Sequence, residues 1–260
     1  MLALEDFALA GRVGPISGEF RAGRLTLLIG PNGSGKSSLL AGAAGLAEGE
    51  GRVRLAGRDL DAFDLFELSR HRAMLTQQVQ LPQGLRGYEL LALAAEPVGG
   101  VSEALCRAIA ALAPELGLES LYDRPLAALS GGEQQRLLIA KTVLQLDPKV
   151  NPDGALLLLD EPLAGLDWRH QLATLGLLRR CADRGLAVVA SIHDINLACQ
   201  FGDDIWCLHR GRLAARGGPE VVTPELIAEV FGVRVRLLEQ DGARLLLPDI
   251  EAGSWTKAGS

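Results

Sequence analysis

Gly30-Pro31-Asn32-Gly33-Ser34-Gly35-Lys36-Ser37 lies between a compact apolar run, Leu25 to Ile29, and a stretch with apolar residues at Leu39, Leu40, Ala43 and Leu46. Strand, glycine turn and helix in that order can wrap an anion. The glycines admit left-handed backbone, successive N–H groups converge, and the positive end of the helix faces the same point. In the GxxxxGK[ST] spacing Lys36 reaches the β- and γ-phosphates of a nucleoside triphosphate, Ser37 offers its hydroxyl to Mg²⁺, and Ser38 lies in the same first helical turn. An ordinary glycine turn before a helix would leave the adjacent Lys36 and Ser37 without a purpose.

A second constellation follows another apolar run: Leu156-Leu157-Leu158-Leu159 ends in Asp160-Glu161, and Pro162 stops the strand. Two carboxylates at the mouth of a buried strand suit phosphoryl chemistry, one orienting a metal and the next holding an in-line water and taking its proton. Asp160 is the expected Mg²⁺ residue and Glu161 the expected general base. Taken alone, the phosphate loop leaves kinases, GTPases and many ATPases open. A third cluster, Leu129-Ser130-Gly131-Gly132-Glu133, stands before a helical pattern and can offer a hydroxyl, N–H groups and a helix dipole to a second anion; Ser130 also reads as a helix cap, and the two roles are compatible.

The elements that must carry these groups are those of an α/β fold. Apolar strands at Leu25–Ile29, 155–159 and 186–190 alternate with amphipathic stretches such as 171–180, the pattern of a largely parallel sheet covered on both faces, with active residues at the carboxyl ends of its strands. Leu2 to Leu9 reads as an edge strand, and residues 51–55 and 73–76 as strands of a β-rich flap, with a helical turn near 65–70. Residues 84–144 read as a helical subdomain, with helices expected at 88–95, 102–112 and 133–144. Thr223-Pro224-Glu225 is a helix start, and 233–238 and 244–247 flank Asp241-Gly242 as a hairpin. The expected divisions are an ATPase domain over 1–218, an appendage over 219–250 and a flexible tail over 251–260.

Composition narrows the class further. The chain has 260 residues, 48% of them hydrophobic, enough for a sizeable core without staples, and a net charge of -6 that argues against direct work on nucleic acid. Cys106, Cys181, Cys199 and Cys207 form no CxxC pair, which favours a reducing compartment. Charges at Glu5, Asp6, Arg12, Glu19, Arg21 and Arg24 break any signal-like apolar core, and no run approaches the roughly 20 apolar residues of a membrane span.

Leu129-Ser130-Gly131-Gly132-Glu133-Gln134-Gln135-Arg136 resembles the signature motif of the ABC ATPase family, and the other family positions occur in order. Gln77 resembles the Q-loop glutamine, Ala164-Gly165-Leu166-Asp167 the D-loop and His193 the switch histidine. The resemblance covers residues 2 to 218. It implies a P-loop ABC ATPase fold with an N-terminal β-rich flap, a helical subdomain and a small C-terminal appendage. It also implies ATP with Mg²⁺ (Ser37, Asp160 and Gln77) between two copies of the chain arranged head to tail. In that arrangement Ser130, Gly131, Gly132 and Glu133 of one copy face the phosphate loop of the other. Gln77 couples metal and water to movement of the helical subdomain, Asp167 joins the subunits, and His193 contacts the γ-phosphate and aligns Glu161. Where an aromatic often stacks on adenine the chain reads Ala10-Gly11-Arg12-Val13, so the Arg12 guanidinium is the expected base platform.

An isolated cassette without a membrane segment resembles the ATPase subunit of an importer. It is expected on the cytoplasmic face of the inner membrane, held by a polytopic permease dimer and served by a periplasmic or surface substrate-binding protein. Gly14-Pro15-Ile16-Ser17-Gly18-Glu19, Asn151-Pro152-Asp153-Gly154 and Phe231-Gly232-Val233 resemble the importer subgroup for vitamin B12, with ferric siderophores or haem as the alternative cargo. A soluble ATPase that clamps a protein or nucleic acid is the reading from a different class. The permease contact is expected over Leu81 to Glu89, where Leu81, Leu85 and Tyr88 either line a groove or anchor the helical subdomain.

Overall fold

The computed structural model describes residues 1–77, 84–240 and 243–249. The chain opens with strands β1 (Leu2–Leu9), β2 (Val13–Phe20) and β3 (Leu25–Ile29), helix α1 (Lys36–Ala43), strands β4 (Glu50–Leu55) and β5 (Arg58–Asp59), helix α2 (Leu65–His71) and strand β6 (Arg72–Leu75). Helices α3 (Gly87–Ala92), α4 (Glu103–Leu116) and α5 (Gly131–Leu144) follow, then β7 (Leu156–Leu159), α6 (Trp168–Asp183), β8 (Ala187–Ser191) and α7 (Ile195–Phe201). The hairpin β9 (Asp204–His209) and β10 (Arg212–Gly217), helix α8 (Pro224–Phe231) and the hairpin β11 (Val235–Gln240) and β12 (Ala243–Pro248) complete it.

The central sheet runs β10-β9-β3-β8-β7-β6 and is parallel throughout except for the β9–β10 hairpin. Its central strands β3, β7 and β8 are buried at every position because both faces are covered, and the pleat divides their side chains between two cores. Leu25, Leu27, Ile29, Leu157, Leu159, Val188 and Ala190 face the core shared with α5 and α6. Leu28, Leu156, Leu158, Ala187 and Val189 face the core shared with α1 and the N-terminal sheet.

That N-terminal sheet has the order β2-β1-β4-β5. The expected edge position of β1 is therefore corrected: β1 is flanked by antiparallel partners on both sides, β2 and β4. The edge strands are β2 and β5, and β2 carries Gly14, Pro15 and Gly18; an edge tolerates the missing N–H of Pro15. Gly18 lies against Trp206, with 2.7 Å between its would-be Cβ and the indole, so close packing fixes the residue type there.

α3, α4 and α5 pack together as the helical layer of residues 87–144. α4 runs to Leu116, past the expected end at Leu112, and stops at Gly117 with φ 61. The guanidinium of Arg136 on α5 donates to the carbonyls of Leu116 and Gly117 at 2.6 and 3.0 Å, closing the C-terminus of α4. The Asp241-Gly242 turn, the 251–260 tail and the Leu81-Pro82-Gln83 part of the expected permease contact lie outside the described residues.

Candidate functional site

Gly30 leaves β3 with φ 149, and a side chain there would meet the Leu208 carbonyl at 2.2 Å and the Ser34 hydroxyl at 2.7 Å. Gly33 and Gly35 follow at φ 75 and 104, so the turn needs glycine for its conformation. α1 starts from Gly35 with no side chain bonded across its first turn, leaving those amides directed at the loop's concavity. The Ser34 hydroxyl is buried without a protein partner. Lys36 is 6% exposed and its ammonium donates to the carbonyls of Gly30 and Pro31 at 2.7 and 3.2 Å. Burial pulls its pKa below the usual lysine value, while the charges of Glu161 and Asp160 pull it back up.

Asp160, 4% exposed at the end of β7, accepts from the Ser191 hydroxyl at 2.6 Å. That hydroxyl accepts in turn from the Glu161 N–H at 2.8 Å. Glu161 sits at φ 51, a left-handed conformation that costs a non-glycine residue about 1–3 kcal/mol and that clusters at functional sites. Gln135 on α5 donates to the Pro162 carbonyl at 3.1 Å, adding a second brace to the turn. The turn aims the Glu161 carboxylate into the cleft, where Gln77 donates to Oε2 at 2.9 Å and the His193 ring nitrogen Nε2 lies 2.8 Å from Oε1. Gln77 follows β6, Glu161 follows β7 and His193 follows β8, so adjacent parallel strands deliver all three to one edge.

An open cleft of about 850 Å³ collects Asn32 to Ser38, Gln77, Glu161 and His193, with Arg12 on its rim. Sequence reasoning missed Arg210 and Gly211, which form the rim beside Arg12 at the tip of the β9–β10 hairpin. Gly211 donates to the Ser34 carbonyl at 3.0 Å and accepts from Gly14 at 2.7 Å, stitching the hairpin between the phosphate loop and β2. Ser191 was also missed as the brace beneath Asp160. None of the three belongs to a local motif; only the sheet order brings them there.

The residues fit a magnesium nucleotide. The loop offers converging amides, an ammonium and an unpartnered hydroxyl. Asp160 and Ser37 supply a carboxylate and a hydroxyl, the sparse donor set Mg²⁺ takes when phosphate oxygens complete its shell.

Ser130, Gly131, Gly132, Glu133 and Asp167 are absent from this cleft's lining. Ser130 caps α5, accepting from the Glu133 N–H at 3.3 Å, while the Glu133 carboxylate accepts from the Ser130 N–H at 2.7 Å and from Arg124 at 2.7 Å. Asp167 caps α6 and accepts from the His170 N–H at 2.9 Å; that backbone bond, with the His170 ring, holds its pKa below the usual aspartate value. Arg136 reaches the other ring nitrogen of His170 at 3.2 Å, and a side chain at Gly132 would come within 2.7 Å of the Gly165 carbonyl. The two segments thus form one braced surface apart from the phosphate loop.

A family model described as ABC transporter matches residues 13–164. The vitamin B12 import ATP-binding protein BtuD of Salmonella heidelberg (strain SL476) is 40% identical over 251 residues, 95% of this chain and 98% of that protein. The chain belongs to the ABC transporter family. The BtuD of Escherichia coli O139:H28 is 39% identical, with 96% and 99% of the two chains covered. A solved ATP-binding subunit of an ABC transporter superposes with a TM-score of 0.74 at 28% identity, covering 90% of this chain and 94% of that one. As an ATP-binding subunit of this family, the chain is a Mg-dependent ATPase coupled to transport. No helix among the described residues is long and apolar enough to cross a membrane.

On the ABC subunit's expected permease contact, Leu85 is half-buried against the main core and Glu89 is engaged in capping α3, whereas Tyr88 is 49% exposed. Tyr88 borders an open, mainly apolar groove with Leu91, Ile109 and Tyr122.

Proposed function

We propose that this chain hydrolyses ATP as a head-to-tail homodimer at the cytoplasmic face of a membrane and drives vitamin B12 through a separate permease fed by a binding protein. The observation that carries the cargo is the 40% identity to a vitamin B12 import ATP-binding protein over nearly the whole of both chains. In this reading the loop amides and Lys36 grip the β- and γ-phosphates, and Ser37, Asp160 and Gln77 hold Mg²⁺, which supplies charge neutralisation along the phosphate chain. Glu161 orients water in line with the γ-phosphorus. The water oxygen bonds to phosphorus as the bond to the bridging oxygen breaks, and its proton passes to the carboxylate and on to the released phosphate. Gln77 donates to the carboxylate oxygen Oε2, so it must share or yield that oxygen as water enters, and the exchange links chemistry to the helical layer beyond it.

Arg12 stands where a base would stack, and the signature of the second copy, from Ser130 to Glu133, closes over the γ-phosphate, with Asp167 at the joint between subunits. The test is transport. The subunit is co-purified with its permease, placed in proteoliposomes with ATP inside, and supplied with labelled cobalamin through a binding protein. ATP-dependent cobalamin uptake is expected; uptake of a ferric chelate or haem with no uptake of cobalamin would overturn the cargo.

A further inference from the structure

His193 is 51% exposed, and the segment that follows it is not self-supporting. One residue later Asp194 caps α7 by accepting from the Leu197 N–H at 2.9 Å, and α7 spans only seven residues, too short to hold its own shape. β8 holds His193 from the N-terminal side, where the Ile192 N–H donates to the Leu28 carbonyl at 3.1 Å, and from the other side it is held by what packs against α7. The most extensive of its contacts with any other element is with β12 of the C-terminal hairpin, about 50 residues further along the chain.

The contact has a specific form. Asn196 donates its amide to the Leu246 carbonyl at 3.2 Å and accepts from the Leu246 N–H at 2.8 Å. A carboxamide presents donor and acceptor in one plane, as a peptide does, so Asn196 stands in for the strand that β12 lacks on that side. Leu246 itself is buried in the main core. Arg244 of the hairpin also donates to the Pro219 carbonyl at 2.9 Å, and the hairpin's own pairing continues past β12 where the Asp249 N–H donates to the Arg234 carbonyl at 2.9 Å. The path from Leu246 through Asn196 and Asp194 to His193 ends 2.8 Å from the carboxylate of Glu161.

We propose that Asn196 is a positioning residue for ATP hydrolysis: by pairing with the backbone of Leu246 it fixes α7 against the C-terminal hairpin and so sets His193 on Glu161. The inference rests on the reading of His193 and Glu161 given above. It gives the C-terminal hairpin a part in turnover without contact with nucleotide. A displacement of His193 changes the chemical step, while the phosphate loop, which carries the grip on ATP, stands on a different strand.

The experiment is a double-mutant cycle on the full chain, measuring kcat and KM for ATP in the wild type, N196L, H193A and the double variant. N196L is expected to lower kcat about tenfold with KM within about twofold, and to lower it no further in the H193A background. An unchanged kcat in N196L, the same fractional loss with and without His193, or KM rising in step with the loss would overturn the proposal. H193A turning over at the wild-type rate would overturn the reading of His193 and the inference with it; a defective H193A beside a normal N196L would overturn the inference alone. If N196L fails to fold, N196D carries the same measurements, since it keeps the acceptor for the Leu246 N–H and loses the donor. An intermediate kcat at unchanged KM is then expected, and a normal kcat would overturn the proposal.

Discussion

The two glycine-bearing helix starts of this molecule share a logic and differ in their capping. At the phosphate loop the helix start has no side-chain cap, one serine hydroxyl is buried without a protein partner, and Lys36 turns back onto its own loop. At the signature the helix start is capped reciprocally by Ser130 and Glu133, and Arg124 holds the carboxylate. The first is recessed and lines the cleft; the second is a satisfied surface that lines no cleft with the first in the same chain. An uncapped, recessed helix start is built to enclose a ligand. A capped, exposed one can serve as a lid that arrives preformed, and that difference is what a head-to-tail pairing of two copies would use.

The largest effect should come from the carboxylate at the junction of the recessed site. Glu161→Gln preserves the hydrogen-bonding outline toward Gln77 and His193 and removes the base, so turnover is expected to fall by about 100-fold or more while ATP binding persists. Binding is checked by titration with labelled nucleotide and turnover by phosphate release. A near wild-type rate would remove Glu161 from the chemistry and leave its left-handed backbone without a purpose.

Much of the recessed site is legible in sequence, and the reason is physical. Leu25 to Ile29, apolar but for Thr26, and Leu156 to Leu159 are buried at every position because both faces of their sheet are covered, and a parallel sheet places its polar chemistry just past such runs. Lys36, Asp160 and Glu161 follow directly. The residues that tune them were not legible. Ser191, Arg210 and Gly211 come from other strands, the left-handed turn at Glu161 leaves no mark on residue type, and Asn196 meets Leu246 only through the fold. The N-terminal sheet shows the same limit: β2 carries two glycines and a proline, and its pairing with β1 comes from the fold rather than from residue type.

An intermediate effect tests whether the two sites belong together across copies. Lys36→Ala removes a charge-assisted contact and is expected to weaken ATP binding by about 1.5–3 kcal/mol. Ser130→Ala spares the phosphate loop. Neither homodimer then has an intact composite site, but a mixed dimer has one intact and one doubly damaged. Random mixing should restore about a quarter of the wild-type number of sites, read as ATPase activity that neither variant shows alone. Absence of recovery, together with cross-linking of each Ser130 to Lys36 of its own chain in the ATP-bound state, would break the comparison drawn here.

The smallest effect separates the two roles of Ser130. As a cap, its hydroxyl accepts from the Glu133 N–H, and Ser130→Ala should cost about 0.5–2 kcal/mol of stability. Asparagine caps as well as serine, so Ser130→Asn should leave the unfolding midpoint in denaturant nearly unchanged, within a few tenths of a kcal/mol. The bulkier carboxamide cannot take the place of a small hydroxyl against a phosphate held by the second copy. If Ser130 works as a lid group, both variants lose ATPase activity while only the alanine variant loses stability. If it works as a cap alone, activity follows stability and the asparagine variant turns over normally. The second outcome would make the signature surface a structural feature of α5 and leave the recessed site to close by some other means, so paired measurements of unfolding and turnover on these two variants decide between the readings.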